Sequence, residues 1–201
     1  MDLLTTIVLG LQKEIEIAGF PERFYSSFEY TKTGQNFTHP LTVGLLAKLL
    51  RQFPSVTTVA IDLRLNDKTA KFQPDLVAIE SVRPFKPIVF VDYESPNSSD
   101  MRIPEKDVDA YVKWSTVYKT MVPYLIITTL PNRSVPDWEL RYTSKGGYNE
   151  AFSGHCKEVA NNPFAFWYAE YRHALKSRVT TGIHFINIDG NRVSHVPTMN
   201  E

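Results

Sequence analysis

Apolar residues at Leu4, Ile7, Leu11, Ile15 and Ala18 recur in steps of three and four, one face of a helix that Gly19 and Pro21 bring to an end. The stretch 20–37 is aromatic and polar without a period. Pro40 then opens a second helical pattern through Leu41, Leu45, Leu46, Leu49 and Leu50, closed by Pro54. From Val56 the period shortens to that of a strand: Val56, Val59, Ile61 and Leu63, a polar turn at Asn66-Asp67-Lys68, and a return from Phe72 to Glu80, which predicts a hairpin. The run from Pro87 to Glu94 has too few polar positions for a solvent-facing side and predicts a central strand, ended by Ser95-Pro96. A helix follows with Pro104 in its first turn and Val108, Tyr111, Val112 and Ser115 on one face. Pro123 to Leu130 is a further apolar strand. A helix between two such strands predicts a right-handed crossover and a parallel pair.

Beyond Pro136 the pattern weakens. Gly146-Gly147 and Gly154 punctuate a loop, Asn162-Pro163 can begin a helix through Phe166, Trp167, Tyr171 and Leu175, and His184 to Val193 reads as a hairpin around Asp189-Gly190. The expectation is one α/β domain over 1–201, with a core at about 1–131 and a C-terminal elaboration of helix and β-hairpin at about 132–201.

Composition narrows the function classes. With 201 residues, 43% hydrophobic and 22% charged, the chain is neither disordered nor fibrous. Lys and Arg together number 22 and so do Asp and Glu, which excludes a globally basic binder and leaves any nucleic-acid contact to a local cationic surface. Cys156 is the single cysteine, so no internal disulfide and no multi-cysteine zinc site can form. No apolar run reaches the roughly 18 residues of a membrane span, and Leu3 to Leu11 follows Asp2 instead of a basic leader. A cytoplasmic protein with no membrane association is the expectation.

The chemistry concentrates where the strands end. Asp75 stands at the start of one predicted strand, and Asp92 and Glu94 stand two apart near the end of the next. Antiparallel pairing would bring three carboxylates to one end of the sheet. Like charges on an apolar strand repel and are costly to desolvate unless a hard cation neutralises them, which points to Mg2+ or Mn2+. Such an ion supports in-line attack on a phosphodiester, and Lys106 is the nearest cation for the developing charge. At about 100° per residue, Lys106 lies about 200° from Val108, so it reaches the acids only if the first turn bends toward them.

Pro74-Asp75, Asp92 and the α-β-β-β-α-β order resemble the PD-(D/E)XK superfamily of restriction-endonuclease-like nucleases. Where that superfamily places lysine, two residues after the second acid, this chain has Glu94. Asp92, Ser95-Pro96, Asp100 and Glu105-Lys106 are similar to an uncharacterised nuclease-like group within it, abundant in cyanobacteria, whose lysine has moved from strand to helix. The resemblance covers roughly Phe72 to Leu130. It implies a restriction-endonuclease-like core, a catalytic set of Asp75, Asp92, Glu94 and Lys106, and a metal held by Asp75 and Asp92. Because the superfamily often adds a glutamate from its first helix, Glu14, between Leu11 and Ile15, is the implied outer contributor.

The function so implied is metal-dependent hydrolysis of DNA, by a monomer or a homodimer. Two other readings stay open: an inactive module of the same fold that binds nucleic acid or protein, and a structural cation site or internal hydrogen-bonded network. His155-Cys156 lacks an orienting third group, and His39, His173, His184 and His195 show no metal-ligand spacing; they are read as partners in local hydrogen bonds. Phe164, Phe166, Trp167, Tyr168 and Tyr171 are read as core, with base stacking as the alternative. Arg133, Arg141, Lys145 and Lys157 suit a phosphate backbone or plain solvent equally.

Overall fold

The computed structural model describes residues 3–17, 38–66, 71–94, 103–129, 182–189 and 192–196. Helix α1 spans Leu3–Ile17 and buries Ile7, Leu11 and Ile15, the residues the four-step period selects. Helix α2 spans Thr38–Leu50 and buries Val43, Leu46, Ala47, Leu49 and Leu50. The two helices meet at Gly10, where an added Cβ would lie 2.9 Å from the Cδ1 of Leu49. Gly10→Val is therefore expected to lower stability by about 1–3 kcal/mol, because its branched side chain would push Leu49 out of a filled site. A urea midpoint unchanged from that of the parent would refute this packing.

Among the described residues eight strands follow in chain order: β1 Thr58–Ile61, β2 Leu65–Asn66, β3 Lys71–Phe72, β4 Leu76–Ser81, β5 Lys86–Glu94, β6 Tyr124–Thr129, β7 Ile183–Asp189 and β8 Arg192–Val196. Helix α3, Ile103–Tyr118, crosses from β5 to β6. Six of the strands form a mixed sheet in the order β1-β4-β5-β6-β7-β8, and β2 and β3 pair separately. The chain is thus an α/β protein with a mixed sheet. As the pattern predicted, β5 and β6 are parallel, and the C-terminal hairpin forms with Ile188 opposite Val193. β7 also lies parallel to β6. The predicted helix beyond Asn162-Pro163 falls outside the described residues.

The hairpin expected between Val56 and Glu80 forms as two short ladders in one register. Ile61 faces Leu76 in the first, and Leu65 faces Phe72 in the second. The interruption takes in Pro74, which has no N–H to donate, and Asp62, whose φ of 51° turns the backbone left-handed and which the shared register sets opposite Asp75. A backbone bond spans the gap, from the Asp62 N–H to the Asp75 carbonyl at 2.9 Å. The break matters for the site, because it leaves the Asp75 N–H outside the β1–β4 ladder.

The core has two chemically distinct halves. On the α1 and α2 side of the sheet it is largely aliphatic, with Leu11, Ile15, Leu46, Leu76, Leu125, Ile127 and Ile186. On the α3 side it is aromatic: Phe72, Phe90, Tyr111, Trp114, Tyr124 and Phe185. Tyr111 stacks on Tyr124 with ring centres 5.0 Å apart and donates its hydroxyl to the Val122 carbonyl at 2.7 Å. Burial pushes the Tyr111 phenol up to about 12, so it acts as a fixed donor. Among the described residues, no helix is long and apolar enough to cross a membrane.

Candidate functional site

Two adjacent strands set the centre of the site. In the β4–β5 ladder Leu76 faces Val91, and one step further the same register puts Asp75 opposite Asp92. The two acids are tied to each other's backbone. The Asp75 N–H, left out of the ladder at Pro74, donates to Asp92 Oδ1 at 2.7 Å. The Tyr93 N–H donates to Asp75 Oδ2 at 2.8 Å. Each carboxylate is thereby fixed by the strand that carries the other.

Two more side chains close on this pair. His39, in the first turn of α2, brings Nε2 to 3.1 Å from Asp75 Oδ2 and sets its ring 5.8 Å from that of Tyr93. Tyr124, at the start of β6, donates its hydroxyl to Asp92 Oδ2. The Asp92 residue is 6% exposed, whereas the Asp75 side chain keeps 19% of its surface. One acid is therefore inside the protein and the other at its edge.

The charge balance is unfavourable to the inner acid. Burial pushes the Asp92 carboxyl well above the usual carboxylate range, and the nearby negative charges of Asp107 and Asp75 push it further the same way. Bonds from the Tyr124 hydroxyl and the Asp75 N–H act in the opposite direction without offsetting the shift. His39 is raised from its ordinary value, chiefly by its bond to Asp75, against the effect of its own burial. Since its folded value lies above its unfolded one, the His39–Asp75 contact stabilises the fold below about pH 6.5 and is lost as pH rises through the folded value. Asp75→Asn should bring the His39 titration back down, which the ring-proton chemical shifts of a pH series read directly. An unchanged midpoint would mean that Asp75 does not hold the ring.

The sequence-derived candidates divide into three groups. Asp75 and Asp92 come together as expected. Glu94 closes β5 opposite Thr128, and Lys106 stands in the first turn of α3, but the side chains of both lie outside the described residues. Glu14 is placed elsewhere. Its Oε2 accepts from Lys48 at 2.6 Å and its Oε1 from Gln52 at 3.3 Å, so it latches α1 to the C-terminal end of α2, while His39 sits at the N-terminal end. Those bonds hold the Glu14 carboxyl below its ordinary value. Nine residues of helix separate Lys48 from His39, about 13 Å along the axis, so Glu14 does not join the Asp75–Asp92 pair.

Three residues of the site carried no functional reading in the sequence. His39 was read only as a local hydrogen-bond partner, which it is, with the partner now Asp75. Asp107 stands four before Tyr111 and seven before Trp114, both buried, so helical spacing alone puts it on the sheet-facing side of α3. That spacing was the available signal. Tyr124 reads as an ordinary strand aromatic until its hydroxyl is located. No family model, curated protein or solved structure matches this chain.

Proposed function

We propose that the chain is a metal-dependent nuclease with a restriction-endonuclease-like core, hydrolysing DNA phosphodiester bonds at the Asp75–Asp92 pair. The observation that carries the reading is the reciprocal tie of two facing carboxylates, one of them buried with an excess of negative charge around it. Its donor chemistry suits Mg2+ or Mn2+, because both side chains offer only oxygen and a dication would relieve the repulsion that lifts Asp92. Among the described residues no three His, Cys, Asp or Glu side chains are arranged to hold an ion together. Two carboxylates nonetheless suffice for Mg2+, which commonly keeps several waters and takes its remaining ligands from a substrate phosphate.

Asp75 and Asp92 would hold the ion, which supplies a polarised phosphoryl oxygen and a more acidic water. His39 and the Tyr93 N–H orient Asp75, and Tyr124 and the Asp75 N–H orient Asp92. Lys106 supports the charged phosphate from the first turn of α3, and Glu94 orients water or adds a ligand. The N-terminal halves of α2 and α3 bring His39 and Asp107 to the site, and the positive ends of both helix dipoles lie on that side, which favours a phosphate there. With formal charges balanced at 22 and 22, the protein grips a short duplex locally or works as a homodimer. A cytoplasmic setting fits both.

The test is supercoiled plasmid with Mg2+ or Mn2+, treated with the parent and with Asp75→Ala. Nicking by the parent and none by the variant is the expected result; equal nicking by both would assign the activity to a contaminant. A second reading, an inactive module of the same fold, draws on the fact that Asp75 and Asp92 already accept bonds from His39, Tyr124 and two backbone N–H groups. DNA retention without cleavage in the same experiment favours that reading. Melting unchanged by millimolar Mg2+, Mn2+ and Ca2+, with neither retention nor cleavage, leaves only an internal network.

A further inference from the structure

On the other side of the sheet from Tyr124, two histidines on neighbouring strands stand diagonally across the ladder, His195 being directly opposite Ile186. His184 of β7 alternates with Ile186 and Ile188, and His195 of β8 alternates with Val193; all three of these apolar residues belong to the aliphatic layer under α1. Gln12 of α1 anchors this edge by accepting the Val193 N–H at 2.8 Å. The two imidazole centres are 5.5 Å apart and tilted by 51°. His195 Nε2 is buried and has no hydrogen-bond partner, and His184 Nδ1 is buried as well.

A buried ring nitrogen with nothing bound to it is unfavourable, so an occupant that binds it would be favoured. We propose that His184 and His195 form a two-histidine site for a borderline transition-metal cation of the Zn2+ class, separate from the carboxylate pair on the opposite face. A tetrahedral Zn2+ lies about 2.0–2.1 Å from each ligating nitrogen and so about 3.2 Å from each ring centre, which sets two bound rings about 5.2 Å apart. The observed 5.5 Å lies within a few tenths of an ångström of that separation. Imidazole nitrogen selects Zn2+, Ni2+ or Cu2+ over the hard Mg2+ that two carboxylates select. Water completes the coordination shell. The site is independent of the nuclease reading and stands whether or not Asp75 and Asp92 bind an ion.

The test uses the full, untagged chain carrying Asp92→Asn, so that the carboxylate pair does not compete for the added metal. Zn2+ at about 100 µM should raise the melting temperature, and 100-fold more Mg2+ should not. His184→Gln and His195→Gln should each weaken the Zn2+ affinity by about 10–100-fold, as loss of a ligand must cost at least what loss of a supporting contact does. Cu2+ bound to the same protein should show electron paramagnetic coupling to two nitrogens, reduced to one by either substitution, a readout that does not depend on melting behaviour. No Zn2+ shift in the parent, an equal shift in both variants, or Cu2+ without nitrogen coupling would each overturn the assignment.

Discussion

Asp92→Asn should make the metal-free protein more stable at pH 8 while abolishing Mg2+-dependent nicking. Asp92 is 6% exposed and the folded value of its carboxyl lies well above the ordinary one, so the folded state holds a proton that the unfolded state releases near pH 4. Stability therefore falls as pH rises from there through the folded value, and the loss persists above it. Each unit of upward displacement corresponds to about 1.4 kcal/mol, and each kcal/mol to about 2–4 °C of melting temperature in a chain of this size. Asparagine carries no charge to desolvate, can accept the Asp75 N–H with its oxygen, and can donate to the Tyr124 hydroxyl. The gain should shrink toward pH 4, where the parent is itself neutral. Any stabilisation by Mg2+ should disappear with the same substitution. A variant that melts lower than the parent at pH 8 would mean that Asp92 is a well-compensated structural acid, and the argument for a dication would go with it.

Phe72→Ala should cost about 3–5 kcal/mol, a large part of the roughly 5–15 kcal/mol that holds a domain folded. Phe72 is 2% exposed and touches four aromatic neighbours, with ring centres 5.2 Å from Phe90, 5.4 Å from Tyr124, 5.9 Å from Tyr111 and 6.2 Å from Trp114. It belongs to a two-residue strand whose own ladder contributes little, so the ring is what binds β3 to the α3 side of the sheet. Phe72→Leu, closer in volume, should lose under about 1.5 kcal/mol. Urea titration of both variants separates the terms. A loss below 1 kcal/mol for alanine would show that the aromatic layer closes over the gap. Asp75 lies only three residues on, so the nicking rate should fall with Phe72→Ala even under conditions where the protein remains folded.

Both results depend on the same short stretch, and its legibility was uneven. The run from Phe72 to Glu80 announced a strand with Asp75 near its start, and the turn at Asn66-Asp67-Lys68 announced the hairpin. What the pattern could not convey was that the ladder breaks at 73–75, because the break depends on the backbone at Asp62 as well as at Pro74, on the two strands of the hairpin. Glu14 shows the opposite failure. Its position between Leu11 and Ile15 correctly placed it at the buried edge of α1 (8% exposed), but Lys48 and Gln52, more than thirty residues on, decide which way its carboxylate turns. Asp107 was legible by spacing, since Tyr111 and Trp114 mark the same face, yet only the fold brings Asp92 within reach of its charge.

Periodicity carried the rest. A helix repeats its buried side every three to four residues and a strand every two, so α1, α2, β5, α3, β6 and the β7–β8 hairpin follow from local order alone. Asp75 and Asp92 stood out, together with Glu94, as acids at the ends of apolar strands. The folded chain alone decided the company they keep: His39 from α2, Tyr124 from β6 and Asp107 from α3, none of them within ten residues of the acid it acts on. Hydrogen bonds and charges act through a few ångströms of space whatever the distance along the chain, so partners of that kind leave no mark in local sequence pattern.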